Sequence, residues 1–257
     1  MEGKETQKIE SGLAARNILT AEMTESLPMP VQNWLKAIGA VGHEKIESVK
    51  LKQSGMMKLK PEQKKWTASE AEQISFTDPP AFRWSVRMKM GKGLVVTGKD
   101  SFLEGKADMR IKLAGILPIS RSADNEKTNE SSLQRYLMEL AWYPSAALSP
   151  FISWQEAGVH SATATMNYGG LTGSATYFFD EHNELLKVEA WRYKENGEDA
   201  RPLLCTGTIN EHQQVDGLKV PVDMEISWEL EEGTFIWYKF QAYDFQFNSV
   251  TDLPKNR

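Results

Sequence analysis

The feature that most constrains this chain is a series of short segments in which apolar and polar residues alternate, between about residues 49 and 247. In one of them Phe82, Trp84 and Val86 alternate with Arg83 and Ser85. Successive side chains of a β-strand point to opposite faces, so this alternation predicts antiparallel strands with one buried and one wetter face. Turn dipeptides of the Asn-Gly and Asp-Gly type separate several of the segments.

The alternating segments predict about eleven strands. Helical spacing predicts one helix over residues 11–27, a second from about Pro30 to Gly39, and a third that follows a polar loop at residues 122–129. The predicted fold is mainly β (α+β). It is a single strongly curved antiparallel sheet, an open or half barrel, with the N-terminal helices and the inserted helix covering its concave face.

No break in composition and no linker divides the chain. The predicted organisation is a tail and helix at residues 1–27 and one curved-sheet domain at residues 28–257, with a helical insertion near residues 130–152. A division into two domains near residue 130 is the alternative, because 257 residues suffice for either arrangement.

Composition removes several classes of function. The formal net charge of −5 leaves no basic footprint, which predicts that the protein binds no nucleic acid. The single cysteine, Cys205, excludes an internal disulfide, and the four histidines lack the spacing of metal ligands. Nucleophile-elbow, phosphate-loop and dinucleotide-binding patterns are missing from the sequence. We therefore expect no metal and no cofactor, and the balance favours a protein that is not an enzyme.

No run of residues approaches the roughly 20 apolar positions that span a bilayer, and the polar residues 1–10 do not resemble a signal peptide. This predicts a cytoplasmic protein if the N-terminus is native. A chain that has lost a leader or a membrane anchor is the alternative.

Three polar residues lie on strand faces that are otherwise apolar. At period two, Gln53 lines up with Val49 and Leu51, and Asp100 with Leu94 and Val96. Arg192 lines up in the same way with Leu186, Val188 and Ala190. A buried charge is costly unless it is paired. The default interpretation of Asp100 and Arg192 is therefore a structural ion pair or a strand end that reaches solvent. The alternative is that these side chains line a ligand pocket inside the sheet.

Arg135 and Glu139 are spaced four residues apart on the inserted helix, close to Trp142. Most such pairs are solvated, so the spacing favours an exposed pair, and the alternative is a pair that faces the sheet interior. Eight tryptophans and eleven methionines would by default fill the core, but they could also form an adaptable apolar cavity. Trp84, Met88, Trp142 and Trp228 are the candidates for its wall.

Several blocks of sequence resemble an uncharacterised bacterial family of unknown function. The most specific block is Arg135-Tyr136-Leu137-Met138-Glu139-Leu140-Ala141-Trp142-Tyr143-Pro144-Ser145-Ala146, followed by Trp154. The others are Leu27-Pro28-Met29-Pro30-Val31, Trp34-Leu35, Gln53-Ser54-Gly55, Lys65-Trp66, Ala71-Glu72-Gln73, Pro79-Pro80-Ala81-Phe82-Arg83-Trp84, Gly217-Leu218-Lys219-Val220-Pro221 and Trp228.

The resemblance implies a fold like that of the bacterial lipoprotein carriers, whose half-barrel sheet and covering helices hold acyl chains. It also implies an extracytoplasmic or membrane-anchored protein, because many members carry N-terminal membrane segments that this chain lacks. Gln53, Trp84, Arg135 and Glu139 belong to the motif of the family, but the resemblance supplies no catalytic residues.

The leading hypothesis is a non-enzymatic protein that binds a lipid or other apolar ligand between sheet and helices. An enzyme that acts on an amphiphile, with Asp100 or Glu139 as general base, is a second hypothesis, and an envelope scaffold with a filled core is a third. The candidate ligand-binding residues are Gln53, Trp84, Met88, Asp100, Arg135, Glu139, Trp142, Arg192 and Trp228.

Overall fold

A computed structural model describes residues 17–113 and 117–251 of the chain. Within these ranges, thirteen strands form one antiparallel sheet. The strands are β1 Ser48–Met57, β2 Thr67–Thr77, β3 Pro80–Lys89, β4 Val95–Leu103, β5 Lys106–Leu113, β6 Leu117–Ala123, β7 Ile152–Gly158, β8 Ser161–Tyr168, β9 Leu171–Phe179, β10 Leu185–Tyr193, β11 Pro202–Val215, β12 Leu218–Leu230 and β13 Gly233–Phe247. The helices are α1 Met29–Ala37, α2 Glu126–Met138 and short 3-10 turns at Glu22–Thr24, Gly91–Gly93, Leu140–Trp142 and Pro144–Leu148.

The order of the strands follows the chain outward from the middle of the sheet. Strands β1 to β6 run in sequence order to one edge, and β7 to β13 return from the other edge until β13 pairs with β1. Helix α2 and the turns after it connect the two edge strands, β6 and β7. The inserted helical segment therefore joins the two ends of the sheet.

The sheet is curved strongly enough to bring its two halves into contact at one end. A Cβ placed on Gly105, in the β4–β5 turn, would lie 2.8 Å from the Cα of Gly169, in the β8–β9 turn. The rings of Phe102 and Tyr168 beside these turns are 6.1 Å apart. Within the described residues β6 and β7 do not pair with each other, so the sheet stays open.

Helix α2 occupies the gap between the two halves. On one side the Asn129 side chain accepts a hydrogen bond from the backbone N–H of Ala107 in β5, at 2.7 Å. On the other side Gln134 donates to the carbonyl oxygen of Trp191 in β10, also at 2.7 Å. Backbone groups of strands that lack a strand neighbour at these positions are thus satisfied by the helix. This explains why polar residues of α2 are buried.

Helix α1 closes the opposite part of the fold. It buries Trp34 and Leu35, and the Trp34 ring lies 6.0 Å from that of Tyr177 in β9. Gly39 then ends the helix with a φ of +78°, where a Cβ would lie only 2.7 Å from the carbonyl oxygen of Gly217. Glycine is required at this position because of both the left-handed conformation and the close approach.

The fold class predicted from the sequence is confirmed, but the count of about eleven strands is too low. The two strands that the prediction lacks are the edge strands, β6 and β7. The loop predicted at residues 122–129 is also wrong. Strand β6 extends to Ala123, and α2 begins at Glu126 after an N-cap at Asn125, whose side chain accepts from the Thr128 N–H at 3.2 Å.

The helix predicted at residues 11–27 is wrong over the part that the structure describes. Residues 11–16 lie outside the described residues, and residues 17–27 contain a single 3-10 turn, Glu22–Thr24. The buried Leu19 is instead held in an extended segment, where its N–H donates to the His43 carbonyl oxygen at 2.9 Å. The second predicted helix is confirmed as α1. The predicted domain boundaries stay a prediction.

Candidate functional site

A cavity of about 390 Å³ lies between the concave face of the sheet and the side of α2. Its wall includes side chains from β1, β3, β4, β10, β12 and β13 and from the inserted helical segment. All nine residues that were singled out in the sequence line it. They are Gln53, Trp84, Met88, Asp100, Arg135, Glu139, Trp142, Arg192 and Trp228.

Most of the cavity wall is aromatic or apolar. The Trp84 ring meets Tyr238 edge-on at 6.5 Å, and the Trp142 ring meets Phe240 in the same way at 6.2 Å. The indole N–H groups of both tryptophans are used within the wall, since Trp84 donates to Gln53 at 2.9 Å and Trp142 donates to the Pro221 carbonyl oxygen at 3.0 Å. These rings therefore present carbon rather than unpaired polar atoms to the space.

Arg135 is the centre of a buried polar network at the α2 side of the cavity. Its guanidinium donates to Asp100 Oδ2 at 2.7 Å, to Glu139 Oε1 at 2.8 Å and to Gln73 Oε1 at 3.3 Å. Gln73 in turn donates to Glu139 Oε2 at 2.6 Å. The side chains of Arg135 and Glu139 are 17% and 14% exposed, so the exposed pair that their spacing favours is wrong. The pair is buried, although such pairs are usually solvated, because Arg135 packs against the rings of Phe82 and Trp84.

The same guanidinium also stacks on aromatic rings, 4.8 Å from the centre of Phe82 and 5.1 Å from that of Trp84. Burial lowers the pKa of Arg135, but the charges of Glu139 and Asp100 more than offset this and hold the pKa above its ordinary value. The arginine therefore remains a cation at the cavity wall.

Asp100 has one oxygen in this network and one outside it. Oδ2 accepts from Arg135, whereas Oδ1 is buried without a hydrogen-bond partner among the described residues. Burial raises the pKa of Asp100, and the positive charges of Arg135 and Arg192 oppose that rise without cancelling it. The carboxyl is thus more readily protonated than an ordinary aspartate.

Within the described residues, Arg192 and Asp100 do not pair with each other. The Arg192 Nε donates to the Ser131 carbonyl oxygen at 3.1 Å, and its Nη1 approaches the sulfur atoms of Cys205 and Met138 at 3.6 and 3.9 Å. Asp100 pairs with Arg135 instead, at 2.7 Å. The alternation of residues along a strand predicts which face of the sheet a side chain occupies. It cannot predict the partner of Asp100, because that partner, Arg135, lies on a helix.

Gln53 accepts hydrogen bonds from Trp84 and from the Tyr238 hydroxyl, at 2.9 and 3.1 Å, in a fully buried position. Gln73 and Tyr238 complete the polar part of the site and were not singled out in the sequence. Gln73, like Gln53, is a polar residue on an apolar strand face, and this pattern could have identified it. It alternates with exposed glutamates in β2 and shares a face with Ala71. No sequence pattern distinguishes Tyr238, since a tyrosine on an apolar strand face is commonly a core residue.

A second pocket, of about 400 Å³, lies outside the cavity at the β12–β13 turn. Lys58 and Lys239 lie over the Trp66 ring there, at 4.8 and 5.7 Å. Much of its wall is exposed, as at Pro61 and Glu232, and it shares Lys58 and Phe235 with the cavity. Among the described residues there is no cluster of three side chains that could hold a metal ion, and no helix is long and apolar enough to cross a membrane.

Residues 25–247 match a family described as "Family of unknown function (DUF6920)". The chain belongs to this family. The resemblance to an uncharacterised family, drawn from the sequence blocks, is thereby confirmed. The nine cavity residues singled out above all lie inside the matched range.

Among solved structures, this DUF6920 chain is similar to the crystal structure of a LolA superfamily protein from Nitrosomonas europaea. The two are 11% identical, with 87% of this chain and 94% of that chain covered and a TM-score of 0.45. The curated proteins contain no match to the chain.

Proposed function

We propose that the protein binds an amphiphilic or apolar small molecule, of which a lipid is one example, in the cavity between the sheet and α2. The observation that supports this most is the combination of an aromatic wall with a few buried polar groups in one cavity of about 390 Å³. Ligand sites are typically clefts of about 300 to 1,000 Å³ with this mixture of surfaces. The ligand-binding role of the nine residues is part of the proposal.

The cavity favours a binding protein over an envelope scaffold, because a scaffold is expected to have a filled core. Membrane association through a segment absent from this chain, and an extracytoplasmic location, stay predictions from the family resemblance.

The test is a variant that fills the space. Gly207 lines the cavity, and a Cβ placed on it would meet nothing closer than 3.5 Å, so a Met side chain at this position would extend into the cavity. We expect Gly207→Met to lose bound ligand in native mass spectrometry and solvent extraction of the purified protein. Thr208→Met is the matched control, because Thr208 lies on the other face of the same strand. Equal ligand content in the two variants, or an empty wild-type protein that takes up no amphiphile, contradicts the proposal.

A second candidate is an enzyme that acts on the same class of molecule. The observation in its favour is the raised pKa of Asp100, whose Oδ1 has no partner at the cavity wall. Such a carboxyl could exchange a proton with a bound substrate. Asp100→Asn distinguishes the two functions, because it abolishes turnover by an Asp100-dependent enzyme but leaves a binding protein loaded.

A further inference from the structure

Among the residues that the structure describes, Arg192 is a cation at the cavity wall that no carboxylate contacts directly. Arg192 of β10 and Asp100 of β4 both line the cavity. Among the described residues, the only acceptors for its guanidinium are one backbone oxygen and two sulfur atoms. Sulfur is a weak acceptor, and no carboxylate oxygen of the described residues lies within 4.0 Å of the guanidinium. The guanidinium also lies over the Trp228 ring, 5.6 Å from its centre. A partly buried guanidinium without an anion is costly, which makes Arg192 ready to accept one.

The carboxyl group of Asp100 also has an atom that lacks a partner. Its Oδ1 is buried at the cavity wall without a hydrogen-bond partner among the described residues, in a residue that is 5% exposed. Leaving such an oxygen unpaired costs free energy, so a proton on Oδ1 is favoured once a ligand atom can accept from it. Burial also raises the pKa of Asp100, in the direction that this proton requires.

We propose that the ligand carries an anionic oxygen head group, a carboxylate or a phosphate, which Arg192 binds directly while the protonated Oδ1 of Asp100 donates to it. This rests on the proposed function, since it names the class of ligand for the same cavity. The aromatic wall then holds the apolar part of that ligand. A guanidinium presents a planar fork of donors that matches carboxylate and phosphate oxygens, which explains an arginine at this position.

The balance of charge at the cavity wall favours an anion over a cation. Arg135 already has Asp100 and Glu139 as partners, so these two carboxylates are not free to bind a second cation. A cationic head group would face both arginines, and a neutral one would leave Arg192 without a counter-charge. With Asp100 protonated, Arg135 and Glu139 cancel. The other charged residues of the lining are all cations, so the remaining charge of the wall is positive and an anionic oxygen group offsets it. They are Arg192, Lys58, Lys99, Arg110 and Lys194.

The arrangement links binding to a proton. An anion placed beside Asp100 disfavours the ionised carboxylate and so raises the pKa of Asp100 further. The bound state then holds more protons than the empty state, which means that affinity decreases as the pH rises through the pKa of Asp100. The groups that face Asp100 are Arg135 and Glu139 from α2 and its C-terminal end, and Arg192 from β10.

The experiment compares ligands that differ only in the head group. Dodecanoate, dodecyl phosphate, dodecanol and dodecyltrimethylammonium compete with a dansyl-labelled fatty acid on the purified full chain, below their micellar concentrations. We expect either anion to bind at least about tenfold more tightly than dodecanol, as a charge-assisted hydrogen bond provides, and the ammonium compound to bind most weakly. Which anion gains more identifies the head group as carboxylate or phosphate.

The variants test the residues. Arg192→Gln should reduce the preference for an anion over dodecanol to about twofold or less, and Arg192→Lys should keep part of that preference. Arg87→Gln is the matched control, because Arg87 is exposed on β3 and does not line the cavity. Asp100→Asn should flatten the decrease in affinity with rising pH, since an amide donates at every pH.

The outcomes separate this inference from the proposed function. If all four compounds bind equally and Gly207→Met blocks them, the cavity is a ligand site and the anionic head group is wrong. If the preference survives in Arg192→Gln, the role of Arg192 is wrong. If none of the four binds to the wild-type protein, both the inference and the proposed function fail.

Discussion

At the scale of single residues, Arg135 connects more of the site than any other side chain described here. It contacts Gln73 of β2 and Asp100 of β4, stacks on two rings of β3, and pairs with Glu139 at the end of its own helix. One guanidinium thus ties α2 to three neighbouring strands. The carboxylates depend on it, because without Arg135 both would be buried with no cation in contact.

Replacing Arg135 with Gln should therefore lower the free energy of unfolding by about 3 to 5 kcal/mol, the usual cost of removing one partner of a buried ion pair. The measurement is urea unfolding at neutral pH. Arg110→Gln is the control: this arginine pairs with Asp108 at the surface, with 41% of its side chain exposed, and such pairs contribute little. If the two variants lose similar amounts of free energy of unfolding, the ion pairs of Arg135 contribute no more to stability than an exposed pair does.

At the scale of elements, the start of α2 decides where the gap between the two halves of the sheet is filled. Asn125 caps the helix, and the first two turns bury Thr128, Asn129 and Ser131 against β5, β6 and β10. Helix termini leave N–H groups that need such a partner.

Asn125→Ala should lower the free energy of unfolding by about 0.5 to 2 kcal/mol, because it removes the acceptor for the Thr128 N–H. Asn125→Asp keeps an acceptor at the same place and should stay close to the wild-type value. Chemical denaturation of the three proteins side by side is the measurement. A loss in the Asp variant as large as that in the Ala variant would contradict the capping role.

The elements that could be predicted from the sequence are those buried on one face. Strands β1 to β5 and β8 to β13 alternate because one side of each packs inside the fold. The edge strands β6 and β7 pair on one side only, and their sequences do not alternate cleanly. The start of α2 looked like a loop because its buried residues are polar, and their partners are backbone groups on strands distant in the sequence.

For the candidate site, too, the sequence predicts some features and not others. Period two placed Gln53, Asp100 and Arg192 on the inner face, and the structure brings all three to one cavity. The alternation could not predict that Asp100 pairs with Arg135, because that contact joins a strand to a helix 35 positions later in the chain. Which face a residue occupies is local information, whereas its partner depends on how far the sheet curves.

At the scale of the whole molecule, the cavity exists because the sheet curves until the β4–β5 and β8–β9 turns touch. Gly105 and Gly169 make that contact, with φ values of +78° and +61°. A side chain at either position would push the turns apart, since a Cβ on Gly105 would lie 2.8 Å from a backbone carbon. Phe102 and Tyr168, whose rings meet beside the turns, would separate as well.

Gly105→Ala should therefore destabilise the protein by about 1 to 3 kcal/mol more than Gly170→Ala does, the range found when a packed contact is overfilled. The comparison isolates the contact, because Gly170 has nearly the same φ, +79°, and nothing within 4 Å of its Cβ position. Both variants share the cost of a left-handed alanine. Urea unfolding measures the difference, and faster amide hydrogen exchange at Phe102 and Tyr168 in Gly105→Ala alone would locate it at the turns. Equal losses in the two variants would mean that the meeting of the turns does not hold the sheet in its curved form.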